Sequence, residues 1–342
     1  MSRRVWSTSV ALALPFALTS LAFTFYAISD PGEGMTQAAQ AFLETLDAEQ
    51  KQTVVLDYDT PKRTDWHFIP KDERKGLQLK HMNDAQRKAA HALLKSALSE
   101  MGYNKSTKIM ALEKLLNEFE EGKGRFLRDH ERYYFTVFGD VTPDSKWGLS
   151  VEGHHLSLNF VVDGNRVVSS TPQVFCTNPA LVKNENKSGI EVGTRVLAKE
   201  ETLAFDLVNS LTDEQKQVAI IAEKAPSEVR AAGEPQPPTA AAEGIRYEDL
   251  NGDQRNLLLS LVNEYANAMP DRVARQRVDK IHFDGLNDVH FAWAGATEPG
   301  IGHYYKIQAP SFLIEFVNTQ PDAAGNPANH IHCIWRDMHG DF

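Results

Sequence analysis

The chain has 342 residues, 42% hydrophobic and 24% charged, a globular composition large enough for one big domain or two ordinary ones. Its 46 acidic residues outnumber 36 basic ones, for a formal net charge of -10. A groove for phosphates needs a lysine and arginine surplus, so nucleic acid is excluded as the expected partner.

In chain order, the first feature is Arg3 and Arg4 ahead of an uncharged, apolar run from Val10 to Ile28. Residues 1–30 therefore read as an export signal. The run is close to the ~20 residues that span a bilayer, and Phe25-Tyr26-Ala27 puts a bulky residue where a cleavage site prefers a small one. Cleaved signal and retained anchor both stay open. Either way the rest is expected outside the cytoplasm: periplasmic, secreted or anchored on the extracytoplasmic side, touching a membrane only through this segment.

Four helix starts follow. Asp47, Asn83, Thr212 and Asn251 each stand three positions before a glutamine, namely Gln50, Gln86, Gln215 and Gln254. That spacing is the capping box, in which the first side chain accepts from the N3 amide and the glutamine reaches back. The second and fourth boxes lead into long helical patterns, with Leu93, Leu94, Ala97 and Leu98 on one and Leu258, Leu261, Val262 and Tyr265 on the other.

Strands are expected after each long helix. Phe135 to Pro143 sets beside Phe291 to Pro299 without a gap, and Leu156, Leu158 and Phe160 then fall on Phe312, Ile314 and Phe316. The ordered match of caps, helix and strand predicts an α+β fold with an internal duplication. Residues 40–200 and 201–342 would be two helix-helix-antiparallel-strand halves packed as one pseudo-symmetric unit. The Pro-rich stretch from Lys224 to Gly244 reads as an exposed loop within the second half.

Period-two alternation assigns the faces. From Leu149 to Val162, the residues Leu156, Leu158 and Phe160 share an apolar face, while His155, Ser157 and Asn159 share the other. His154 is thereby expected to point away from His155, and Asp163-Gly164 to turn the chain. In the second half Glu315 falls on Asn159, and a carboxylate in an apolar strand needs a cation, a metal or a proton. His330, His332 and Arg336 share one face of the following strand. A His-x-His pair there sets two imidazoles about 6–7 Å apart on one side.

His155, His330, His332 and Glu315 together form a candidate metal set, suited to Zn²⁺ or Cu²⁺, or to Fe²⁺ where a coordination position stays open. The other reading is a hydrogen-bonded polar core, with His155 held by Asn159 or Glu315. Zinc-protease, Walker and dinucleotide motifs are absent from the sequence, and Gly148-Leu149-Ser150-Val151-Glu152 lacks the second glycine of a nucleophile elbow.

From about residue 40 onward the chain resembles the bacterial family catalogued as domain of unknown function 3500. The resemblance rests on Trp147-Gly148, Glu152 to Phe160, Thr171-Pro172, Asn178-Pro179, His290 to Gly295, His303 to Gln308, Ile314-Glu315, Asn329 to His332, Trp335 to Asp337, and Asp341-Phe342. It implies membership and no reaction, and its signature stretches contain the histidines and Glu315. Cys176 and Cys333 stand where the family pattern leads one to expect Gly and Ser or Thr, and a disulfide particular to this chain is expected to link the two halves.

Two function classes fit. One is a metal-dependent enzyme, hydrolysis the first guess, with Glu315 as fourth ligand or general base and Arg336 steadying an anionic substrate group. In that reading Trp293, Tyr304, Tyr305 and Trp335 are candidate pocket walls or plain core. The other is a non-catalytic protein that captures a metal or small molecule.

Overall fold

The computed structural model describes residues 30–342, so the export segment, apart from Asp30, lies outside the described residues. Among these residues the fold is α+β, with eight α-helices beside one large mixed sheet. None of the helices is long and apolar enough to cross a membrane.

The chain opens with α1 (Pro31–Glu44), α2 (Ala48–Val54), β1 (Val55–Leu56), β2 (Leu77–Gln78), α3 (Asp84–Ala97) and α4 (Glu100–Phe119). Strands β3 (Tyr134–Phe138), β4 (Lys146–Gly153), β5 (Leu156–Asp163), β6 (Arg166–Ser169) and β7 (Gln173–Thr177) follow. Next come α5 (Ala198–Ser210), α6 (Asp213–Ala219), β8 (Ile220–Ala222), β9 (Ile245–Arg246), α7 (Gly252–Ala266) and α8 (Asp271–Asp284). The chain closes with β10 (His290–Gly295), β11 (His303–Gln308), β12 (Phe312–Gln320) and β13 (His330–Asp337).

All four capping boxes form, each with its reciprocal pair of hydrogen bonds. The glutamines do more than cap. Gln86 Nε2 donates to Gln50 Oε1 at 2.6 Å and to Thr45 O at 3.0 Å, while Gln254 Nε2 donates to Gln215 Oε1 and to Ser210 O, both at 2.8 Å. Each box thus ties a short helix to the start of a long one.

The main path of the sheet runs β1-β3-β4-β5-β7-β13-β12-β11-β10-β8, with β2 on β3, β6 on β5 and β9 on β10. Only the outer pairs β1·β3 and β8·β10 are parallel. Leu156, Leu158 and Phe160 share a face with Phe312, Ile314 and Phe316, as the alternation predicts, and pack beneath α1, α3, α4, α5, α7 and α8. Fully burying one such side chain is worth about 1.5–3 kcal/mol, so this helix-covered face carries the main core.

The other face holds a smaller core of Val174, Cys176, Tyr304, Val317 and Ile334, closed by Trp66, Phe68, Ala225 and Val229 from two long connections. The stretch from Lys224 to Gly244 is therefore not a simple solvent excursion. It lies over the sheet, and Arg336 holds it there by donating to Ala231 O and Glu234 O.

Three expectations change. The run from Leu149 to Val162 is two strands joined by a His154-His155 turn, with Gly153 opposite Leu156. The next hairpin turns on Gly164-Asn165, both at positive φ, between the paired Asp163 and Arg166, the conformation that two-residue hairpins favour. The cysteines are free and buried. Cys176 pairs in register with His332, and Cys333 with Phe175. Neighbouring register positions point to opposite faces, and the two thiols accordingly lie in different cores.

Candidate metal centre

His155 reaches its position through the turn. Its φ of 65° is left-handed, a conformation that only glycine adopts without a steric cost from Cβ. The surroundings hold it: His155 N donates to Phe68 O and Cys176 N donates to His155 O, both at 2.8 Å. Gly153 lets the Tyr133 ring lie against the backbone, since a Cβ there would meet Tyr133 Cδ1 at 2.3 Å. The Tyr133 hydroxyl in turn donates to His154 O at 2.9 Å.

From this turn the His155 ring meets the two histidines of β13. His155 Nε2 lies 2.8 Å from His330 Nε2, and His332 Nε2 lies 3.0 Å from the same atom. The His330 and His332 ring centroids are 4.7 Å apart, closer than plain strand spacing gives, because both rings lean to one point. His155 and His332 are buried and His330 is partly exposed.

A ring nitrogen of imidazole carries either one hydrogen or one in-plane lone pair. His330 Nε2 faces two other ring nitrogens, and one proton cannot bridge both contacts well. A single Lewis acid satisfies all three lone pairs. Zinc–nitrogen bonds of about 2.0–2.1 Å place ligand nitrogens roughly 3.3–3.4 Å apart in a tetrahedron, and roughly 2.9 Å apart at right angles. The two contacts of 2.8 and 3.0 Å suit the right-angled arrangement as they stand and would open by roughly half an ångström for the tetrahedral one.

The surrounding shell suits ligands too. His332 Nδ1 lies 2.8 and 2.9 Å from the carboxylate oxygens of Glu228, the carboxylate–histidine pairing that fixes a ligand tautomer and raises its basicity. The contact at His330 is of another kind: its Nδ1 lies 3.3 Å from the Asn178 Nδ2 donor, so only His332 has a carboxylate behind it. The Phe68 ring stands edge-on to His332 at 4.9 Å. Burial holds His155 and His330 well below the usual histidine value, and the neighbouring imidazoles deepen the effect. Neutral rings are the form a metal takes.

His154 is not turned away. Its ring stacks on His155 at 3.6 Å between centroids, because the positive φ at His155 breaks the alternation that assigned it to the opposite face. Behind it, His154 Nδ1 lies 2.5 Å from Glu113 Oε1 on α4 and 3.1 Å from the Arg128 guanidinium, which also pairs with Glu120 at 2.8 Å. Glu113, His154 and His155 could also reach a common ion, but a guanidinium beside that point favours an ion-pair network there.

Glu315 is fully buried and has other partners. It accepts from Arg230 Nε at 2.8 Å and from the Tyr304 hydroxyl at 2.6 Å, and it is not in the group of ligand atoms that converge. Arg336 pairs with Asp341 and lies over the Trp66 ring at 5.1 Å, a structural anchor away from the histidines. Of the four aromatics, Trp293 and Tyr305 stack within the main core, Tyr304 serves Glu315, and Trp335 lines a separate cavity.

Sequence reasoning missed Glu228, Glu113 and Asn178. Glu228 sits in an aperiodic Pro-rich stretch, where no spacing rule links it to β13. Comparison with curated proteins and with solved structures gave no match. Over residues 29–342 the chain matches the family described as protein of unknown function (DUF3500), and it belongs to that family.

Proposed function

We propose that this chain is an extracytoplasmic metalloprotein whose metal is held by His155, His330 and His332, with Glu228 orienting His332. The observation that carries the reading is the meeting of three Nε2 atoms around His330, which protons satisfy poorly and a divalent cation satisfies well. All-nitrogen ligation suits Zn²⁺ or Cu²⁺. The paired arginines and apolar run of residues 1–30 support export.

Metal-dependent hydrolysis is the reaction class we infer first. A bound Zn²⁺ with a position left open would lower the pKa of water and polarise a carbonyl or phosphoryl oxygen. The chain's own share is to hold His155 and His330 neutral and to keep Phe68 against one side. Glu315 is occupied by Arg230 and Tyr304, so the general-base role expected of it has no support from its position. That observation favours a second reading, a protein that captures a metal or small ligand without turning it over.

The fold is further proposed to be an internal duplication. In support, α2-α3 and α6-α7 share one capping lattice, and β3-β4-β5-β7 runs parallel in order to β10-β11-β12-β13. The ungapped match that sets Phe135 on Phe291 also sets Cys176 on His332. Those two are register partners at the β7·β13 junction, as a twofold relation between the halves requires.

Elemental analysis of protein purified without chelators tests the centre. About one equivalent of zinc or copper is expected, and a His330→Ala/His332→Ala double variant should lose it. Full retention by that variant refutes the assignment. A closed coordination shell by X-ray absorption would favour capture, and a coordinated water the enzyme.

A further inference from the structure

On the opposite, helix-covered face, a cavity of about 160 Å³ opens between α8 and the strands β6, β12 and β13. Its floor is Trp335, stacked on Phe312 at 5.1 Å, and Val167, Val273 and Ile281 supply apolar wall. Into it projects Arg277 of α8, its guanidinium 4.7 Å above the Trp335 ring.

Arg277 is held by neutral acceptors only. It donates to Gln173 Oε1 at 2.6 Å and to Ser170 O and Oγ, both at 2.8 Å. Gln173 Nε2 donates to Tyr265 O at 3.2 Å, which turns the Gln173 oxygen towards the guanidinium. Among the described residues no carboxylate lies within ion-pair distance of Arg277. The two acids nearest in charge are taken: Asp337 by Lys280 at 3.0 Å, and Asp341 by Arg336. Burial lowers Arg277 to about 9, so it still carries its charge at neutral pH. Ser311, 3% exposed, also lines the cavity, and its hydroxyl has no hydrogen-bond partner.

A half-buried guanidinium fixed at one edge, with hydrogens on Nε and Nη1 free and an unpartnered hydroxyl in the same cavity, is suited to an anion. We propose that this cavity binds a small organic carboxylate, its head on Arg277 and Ser311 and its short hydrocarbon tail against Phe312 and Ile281. With both Nη2 hydrogens given to Ser170, one carboxylate oxygen would take a remaining Nη1 or Nε hydrogen of Arg277 and the other the Ser311 hydroxyl, and the apolar wall selects against a fully hydrated inorganic anion. The site is independent of the histidine centre, which lies on the other face.

The test is calorimetric titration of the full chain with sodium butyrate and, separately, sodium phosphate at constant ionic strength. Saturable one-to-one butyrate binding is expected, stronger than phosphate binding and unchanged by chelator treatment. Arg277→Gln should weaken it by roughly tenfold to a hundredfold. Because that variant also alters a buried network, Ser311→Leu is the companion, filling the cavity while leaving Arg277 in place. Ser311→Leu should abolish binding with the circular dichroism spectrum intact. No saturable butyrate binding by the natural chain, a preference for phosphate, or undiminished binding by either folded variant would overturn the assignment.

Discussion

At the scale of single residues, the centre depends on which ring nitrogens carry protons. Glu228 accepts from His332 Nδ1, leaving Nε2 free to face its neighbours, and outer partners of this kind affect metal affinity strongly. Glu228→Gln is therefore expected to weaken metal binding about 10- to 100-fold in competition with a chromogenic chelator, with little change in the melting of metal-free protein. Burial holds His155 and His330 well below the normal histidine range, while an unfolded chain titrates them near 6.5. As pH falls through about 6.5, the unfolded state takes up protons that the folded state refuses, and stability drops. The urea midpoint of chelator-treated protein should accordingly fall between pH 7.5 and 5.5, with a shallower fall in His155→Gln. An equal slope in the two proteins would remove these histidines from the account. The sequence made His155, His330 and His332 legible, because residue type and strand period are local. It did not reveal Glu228, whose link to His332 spans an aperiodic loop, nor the true partners of Glu315, Arg230 and Tyr304.

At the scale of elements, what the sequence told most reliably was the beginnings of helices. All four capping boxes form because a cap is settled within four residues. The same glutamines then bridge to the neighbouring box, a tertiary role that spacing alone does not show. Gln86→Ala and Gln254→Ala each remove the glutamine half of a capping box and three further side-chain bonds from buried positions. Each should cost about 1–3 kcal/mol, read as a lower urea midpoint at unchanged slope. Gln50→Ala and Gln215→Ala, at half-buried positions, should cost less. The alternation of Leu156, Leu158 and Phe160 was equally legible. The hairpin before it was not, since His154-His155 lacks the glycine or asparagine that marks such turns, and reading one strand through it misplaced His154. The expected disulfide failed for a related reason: similar places on two adjacent strands say nothing of facing until the register is known.

At the scale of the whole molecule, the join of β7 to β13 makes one sheet from early and late parts of the chain, with one main core beneath it. Unfolding by scanning calorimetry should then show a single transition whose van't Hoff and calorimetric enthalpies agree. Two resolved endotherms would mean that the parts melt separately. The α+β class could be read in advance from helix caps followed by alternating strands. The order of strands could not, because pairings that span more than a hundred residues leave no local trace.

The left-handed turn at His155 has a consequence for how this chain could change. A position held at φ 65° suits glycine or asparagine better than histidine, so folding stability alone would replace this proposed ligand. His155→Gly and His155→Asn are expected to melt at or above the temperature of the metal-free natural chain while binding metal far more weakly. Such a variant would be the sturdier protein and the poorer metal site. Any family member that kept histidine there would be trading resistance to heat for chemistry at a single backbone angle.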